Sequence, residues 1–168
     1  MRKLILFIFS LILLLWGCNS SDGTGNFKLY LTDQPIDYAE EIWVTISEIN
    51  VQKTEEGFST ISSGEKTYDL LKLRIKEEKI VDITLKEGTY TQIRLVVTKG
   101  LIVIAGETYE MTVPSSEVKI PLIFNIEDDS TIQITLDFEA DESIHVVEAG
   151  QSNQYILTPV IKVESISY

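Results

Sequence analysis

The chain has 168 residues, one Cys and one His, and a net charge of −12 from 14 Lys and Arg against 26 Asp and Glu. A single Cys and a single His exclude a disulfide framework and a Cys/His zinc cluster. The acidic balance argues against a nucleic-acid partner, since neutralising phosphates takes clustered Lys and Arg. At this length one domain with a sizeable core is expected.

Residues 1–18 read MRKLILFIFSLILLLWGC. Arg2 and Lys3 form a short basic start, and the apolar run from Leu4 to Trp16 is broken only by Ser10. Such a run is shorter than a bilayer span of about 20 residues and suits the core of a signal peptide. Leu15-Trp16-Gly17-Cys18 resembles the bacterial lipobox: Leu, a bulkier residue than usual, a small residue, then the Cys that receives the lipid. The resemblance implies cleavage behind Gly17 and acylation of Cys18, palmitate among the acyl chains, so that the protein reaches the membrane through its N-terminal lipid. Several chains together hold stably where one does not. Asn19–Asn26 (NSSDGTGN) then forms a flexible tether with a reach of about 16 Å. Losing Arg2 and Lys3 leaves a net charge of about −14 by counting, which anionic headgroups repel. The expected organisation is a signal peptide over 1–17, lipidated Cys and tether over 18–26, and one domain over 27–168.

From Phe27 the chain alternates. Phe27, Leu29 and Leu31 share one parity, and Lys28, Tyr30 and Thr32 the other. Ile42, Val44 and Ile46 sit on even positions but Ile49 and Val51 on odd ones, so a β-bulge near Ser47-Glu48 is predicted. Val81-Ile83-Leu85 and Ile93-Leu95-Val97 follow. Val118-Ile120-Leu122-Phe124-Ile126 and Ile132-Ile134-Leu136-Phe138 come next, then Tyr155-Leu157-Pro159-Ile161-Val163. Period two marks half-buried antiparallel strands, and Pro121 and Pro159 within such runs belong at sheet edges or bulges. Turns are expected at Gln34-Pro35, Glu56-Gly57, Ser63-Gly64, Glu87-Gly88, Lys99-Gly100, Ala105-Gly106, Asp128-Asp129 and Gly150. Asp37–Glu41 has room for one helical turn. Lys66–Lys79 reads as extended, because Leu71, Leu73 and Ile75 alternate with Lys72, Arg74 and Lys76. Short strands punctuated at this spacing predict an all-β fold, a single antiparallel β-sandwich following the lipoprotein signal peptide.

The segments LTDQPID (31–37), IWVTISEINV (42–51), YDLLKL (68–73), GTYTQIRL (88–95), VPSSEVKI (113–120), LDFEADES (136–143) and YILTPVIKV (155–163) follow one another along the chain. Together they resemble the bacterial lipoprotein domain known as domain of unknown function 4382. The resemblance implies an immunoglobulin-like or prealbumin-like sandwich at the cell envelope and carries over no activity. Glu87-Gly88-Thr89-Tyr90 also looks like the G-x-Y strand start of prealbumin-like surface modules, where the Gly turns and the Tyr packs with its hydroxyl on a backbone partner. Lys28 alternates against Phe27 and Leu29, so it is expected to face outward, and the Lys–Asn isopeptide that some prealbumin-like modules carry is not expected here.

Candidate chemistry is sparse. Asp33, Asp37, Asp69 and Arg94 suggest either a carboxylate pocket or, as the favoured view, turn capping by Asp and an Arg–carboxylate pair between strands. Glu127-Asp128-Asp129, Asp137, Glu139, Asp141 and Glu142 lack the spacing of a calcium loop; Asp137 and Glu139 are expected on a solvated strand face, and no metal is assigned. Ser143 and His145 are expected as a surface polar pair rather than part of a triad. No P-loop, GxGxxG, HExxH or GxSxG occurs, so neither an enzyme nor a cofactor is expected. Tyr30, Tyr38 and Trp43, with Asp33 and Asp37, are the candidate ligand-binding residues, since rings stack on pyranose faces; the favoured view of the rings is that both sheet faces are partly covered, with Trp43 in the core or at its margin. The first expectation is therefore a non-catalytic, lipid-anchored envelope module binding an envelope or extracellular glycan. A structural or adhesion component binding a protein through a sheet edge is the alternative, and a carboxylate-dependent hydrolase comes last. Asn19 rather than Asp after Cys18 favours the outer over the inner membrane.

Overall fold

The computed structural model describes residues 23–33, 38–149 and 152–168. Gly17, Cys18 and Asp37, on which three expectations rest, lie outside the described residues. In chain order the elements are β1 (Thr24–Asp33), β2 (Glu41–Lys53), β3 (Gly57–Asp69), α1 (Leu70–Leu73), β4 (Glu78–Lys86), β5 (Gly88–Ile104), β6 (Glu107–Thr112), β7 (Glu117–Ile126), β8 (Thr131–Phe138), α2 (Ala140–Ser143), β9 (Ile144–Ala149), β10 (Ser152–Leu157) and β11 (Ile161–Ser167). Two sheets enclose one core. The smaller has the order β11-β8-β1-β4, and the larger runs β3-β2-β5-β6-β10-β9, with β7 also on β5. Pairing is antiparallel except at β1–β8 and β6–β10, which run parallel.

The alternation read from the sequence decides which side is buried. Phe27, Leu29, Leu31, Ile132, Ile134, Leu136 and Phe138 are all fully buried on the inner face of the smaller sheet. Ile42, Val44, Val51, Ile93, Leu95 and Val97 meet them from the larger sheet. Val118, Ile120, Phe124 and Ile126 point inward from β7 while Lys119, Pro121, Ile123 and Asn125 point out. Phe124 stacks on Phe27 at 5.5 Å and on Tyr90 at 5.1 Å between ring centroids. The parity change in β2 is a bulge, because its register against both β3 and β5 shifts between Ile46 and Glu48. Gly88 has φ +141° and Tyr90 donates its hydroxyl hydrogen to the Lys86 carbonyl at 3.0 Å, the arrangement expected of Gly-Thr-Tyr.

Several local expectations are corrected. The segment read as extended over Lys66–Lys79 leaves β3 at Asp69 for the single turn α1, because Leu70 and Leu73, three apart, both reach the core; Ile75 is exposed. No helix forms at Tyr38–Glu40, and β2 begins at Glu41. Ser63-Gly64 does not reverse the chain. It lies inside β3, where Gly64 has φ +99° opposite the β2 bulge. Lys99-Gly100 is not a turn either. Gly100 is there for closeness: a Cβ on it would sit 2.7 Å from Leu157 Cδ2 and 2.8 Å from Met111 Cε. The run from Tyr155 to Val163 is two strands, with Pro159 in the passage from the larger sheet to the smaller one. Ala105-Gly106 does turn, both residues having positive φ as a tight hairpin requires.

Candidate functional site

The three aromatic candidates do not form one platform. Tyr30 alternates against the buried face of β1, so it lies on the outer face of the smaller sheet. Trp43 alternates against Ile42 and Val44 in β2, on the outer face of the larger sheet, across the sandwich from Tyr30. Trp43 Nε1 donates to Glu41 Oε2 at 2.8 Å, and Lys72 Nζ stands 5.1 Å from its ring centroid. Beside it Thr45, Thr67, Leu101 and Glu110 line a shallow hollow of about 220 Å³. Tyr38 is half exposed, and its hydroxyl is held above the usual value by burial and then by the Asp141 carboxylate.

The carboxylates serve the fold. Asp33 is buried, and its Oδ1 accepts the Ala140 N–H at 3.2 Å, joining the end of β1 to α2. Asp69 pairs with Lys72 at 2.8 Å. Arg94 reaches Glu117 at 2.7 Å and lies over the Phe58 ring at 3.6 Å, tying β5 to β7. Asp137 and Glu139 are buried, against the expectation of a solvated strand face. Over Asp137 the reason is α1 and the turn after it, which cover the outer face there, Thr32 Oγ1 donating to the Leu73 carbonyl and Thr135 Oγ1 to Glu77; Glu139 is enclosed where its N–H meets the Val160 carbonyl. Glu139 pairs with Lys162 at 3.0 Å, and Lys162 also holds Glu142 at 2.8 Å. Asp128 Oδ1 accepts the Thr24 N–H. Among the described residues no three His, Cys, Asp or Glu side chains gather as a metal site.

Ser143 and His145 are not a surface pair. Ser143 is fully buried, donates its hydroxyl hydrogen to the Glu139 carbonyl at 2.6 Å and accepts the Val160 N–H at 2.8 Å. His145 is exposed on β9.

The open feature of the surface is β9 itself. It ends the larger sheet, and among the described residues no strand pairs with its outer side. His145 and Glu148 are exposed, and Val146 and Val147 keep 48% and 43% of their surface in water. The other edges carry the usual guards: Lys66 on β3, Lys79 and Lys86 on β4, Lys162 on β11, and Lys119 with Pro121 on β7. β9 has neither Lys nor Pro, so its unpaired N–H and C=O groups form a template for another strand. Val146 stands opposite Tyr155 in the β9–β10 ladder, so the two point to the same face. Tyr155 packs on Tyr109 at 4.9 Å, which holds β10 against β6. Across β10 and β6, the edge lies level with the Gly100–Ile104 half of β5. That half is remote from Gly88, where Glu87 N–H meets the Gly23 carbonyl and the chain enters the sandwich.

Reasoning from sequence does not single out this edge, because Ile144-His145-Val146-Val147 has no alternation. One signal is present. Between Gly100 and Ile161 the chain holds eleven acidic side chains and Lys119 as its one basic residue.

A family model described as a domain of unknown function (DUF4382) matches residues 24–159, from the start of β1 to the passage before β11. No curated protein and no solved structure matches the chain.

Proposed function

The chain belongs to the family of domain of unknown function 4382, and from that premise we propose a non-catalytic, lipid-anchored module of the bacterial cell envelope that binds a protein partner by strand addition. The observation that carries this reading is the unguarded edge β9, with Val146 and Val147 exposed and neither Lys nor Pro along it. Anchoring rests on the lipobox-like Leu15–Cys18, and the outer membrane on Asn19. The tether joins at the Gly23 end, and β9 lies level with the opposite end of β5, so an anchor there leaves the edge accessible to a partner. The absence of catalysis is supported by Asp33, Asp69, Arg94 and Glu139, whose charged groups serve structural contacts.

A photoreactive residue placed at Val147 in intact cells tests the reading. The expected result is one discrete protein adduct at that position and none from the same residue at exposed Ile75. A Cys18→Ala chain should leave the membrane fraction. A second reading, glycan binding, is favoured by the hollow beside Trp43 and Leu101. A polysaccharide adduct from Leu101, with no protein adduct from Val147, would replace the first reading with the second.

A further inference from the structure

We infer that the strand received at β9 is a basic one: an extended polypeptide segment in which two adjacent β-branched residues stand beside Lys or Arg. This rests on the strand-addition reading and names the chemistry of its partner. Two properties of the edge decide it.

The first is what the edge offers by contact. Main-chain groups bind any extended chain, so selectivity comes from side chains at alternate positions. Val146 and Glu148 share one face of β9, while His145 and Val147 share the other. A partner strand therefore meets one apolar and one polar position on each face. Valine and isoleucine pack against Val146 and Val147, and a cation suits Glu148, because opposite charges facing each other across strands attract.

The second is the field around the edge. Behind β9 stand β10, which carries no charged residue, and β6, which exposes Glu107 and Glu110. Asp141 is exposed on the preceding turn α2. Lys162, the basic residue that reaches α2, is engaged with Glu139 and Glu142. Neighbouring strands lie about 5 Å apart, so the β6 carboxylates act on a bound strand from roughly 15 Å, beyond one Debye length at 0.1 M salt but not at low salt. The same field opposes the other simple occupant, a second copy of this chain. Two protomers, each of net charge about −14 once Arg2 and Lys3 are lost, repel one another on approach.

The test uses the folded domain and three capped peptides, each an extended sequence with adjacent valine pairs flanked by lysine, by glutamate or by threonine. Affinity is read by fluorescence anisotropy at about 20 mM and about 300 mM salt, and the contact is located by amide hydrogen exchange. At low salt the lysine peptide should bind at least about tenfold more tightly than the glutamate peptide, with protection confined to Ile144–Ala149, and the gap should shrink at high salt. Glu148→Lys, a change at an exposed edge position, should narrow the preference at unchanged thermal midpoint. Equal affinity of the lysine and glutamate peptides, with β9 protected by both, overturns the basic partner and leaves strand addition standing. Binding of the lysine peptide without protection of β9 also overturns it, as adhesion to an acidic surface. If none of the three binds and the β9 amides exchange freely, strand addition falls as well. A chain that dimerises through β9 at low salt makes the second copy the occupant and ends the inference.

Discussion

Phe124 joins both sheets through its stacks on Phe27 and Tyr90 and is 1% exposed. Truncation to Ala removes a buried ring and leaves a cavity, so Phe124→Ala should lose about 3–5 kcal/mol of stability in urea unfolding. A loss below about 1 kcal/mol would mean that the core closes over the gap. Ser143 acts differently, through its hydroxyl rather than its volume. It holds the Glu139 carbonyl and the Val160 N–H where the chain crosses between sheets. Ser143→Ala should cost about 1–3 kcal/mol, since the Val160 N–H loses its partner, while Ser143→Thr tests whether the enclosure admits a methyl group. This serine marks the reach of residue-level reasoning. Parity places Phe124 in the core correctly, because alternation reports one strand and its two faces. It cannot place Ser143, Asp137 or Glu139, whose burial comes from α1 and a crossover distant in sequence.

The β9–β10 hairpin is the loosest-held element of the larger sheet. It joins β6 through a short parallel register, Tyr155 with Met111 and Ile156 with Thr112, and packs through Tyr155 on Tyr109 and Leu157 at Gly100. β5, by contrast, is paired along its length with β2 on one side and with β7 and β6 on the other. Amide exchange should therefore be fast in Ile144–Ala149 and slow in Ile93–Val97, the hairpin opening without the rest of the fold. Equal protection in both would refute that separation. Gly100→Ala should sharpen the contrast, because its Cβ pushes Leu157 and Met111 apart and speeds exchange in β10 more than in β7. At this scale the long alternating runs are legible in the residue pattern alone, and so is the bulge in β2. Glycine misleads at Gly64 and Gly100. A bulge, a close approach and a turn all require the same residue, and only the neighbours tell them apart.

For the molecule as a whole, titration points one way at alkaline pH. Burial is the main cause holding the Tyr68 and Tyr90 hydroxyls above their ordinary 10.0. The hydrogen bond to Glu107 does the same for Tyr109, and bonds to Asp69, Asp82 and Glu142 raise Lys72, Lys79 and Lys162. A group whose folded pKa is raised contributes fully below its unfolded value and loses that contribution as pH rises through the folded one. The thermal midpoint should thus be nearly level between about pH 6 and 9 and decline above about pH 10. Asp82 has the opposite sign: its pairing with Lys79 lowers its pKa, and that contribution disappears as pH falls below the ordinary carboxylate range. A midpoint at pH 11 equal to that at pH 8 would contradict the alkaline part. Sheet topology leaves a different mark on the molecule. β1, the first strand to leave the ribosome, lies between β4 and β8 in the interior of its sheet, and Asn26 pairs with Thr131 more than a hundred positions downstream. Its second neighbour does not exist until most of the chain has been synthesised. Closing so long a loop is slow, so the nascent chain must carry an incomplete smaller sheet through most of its elongation, with one edge of β1 waiting for β8.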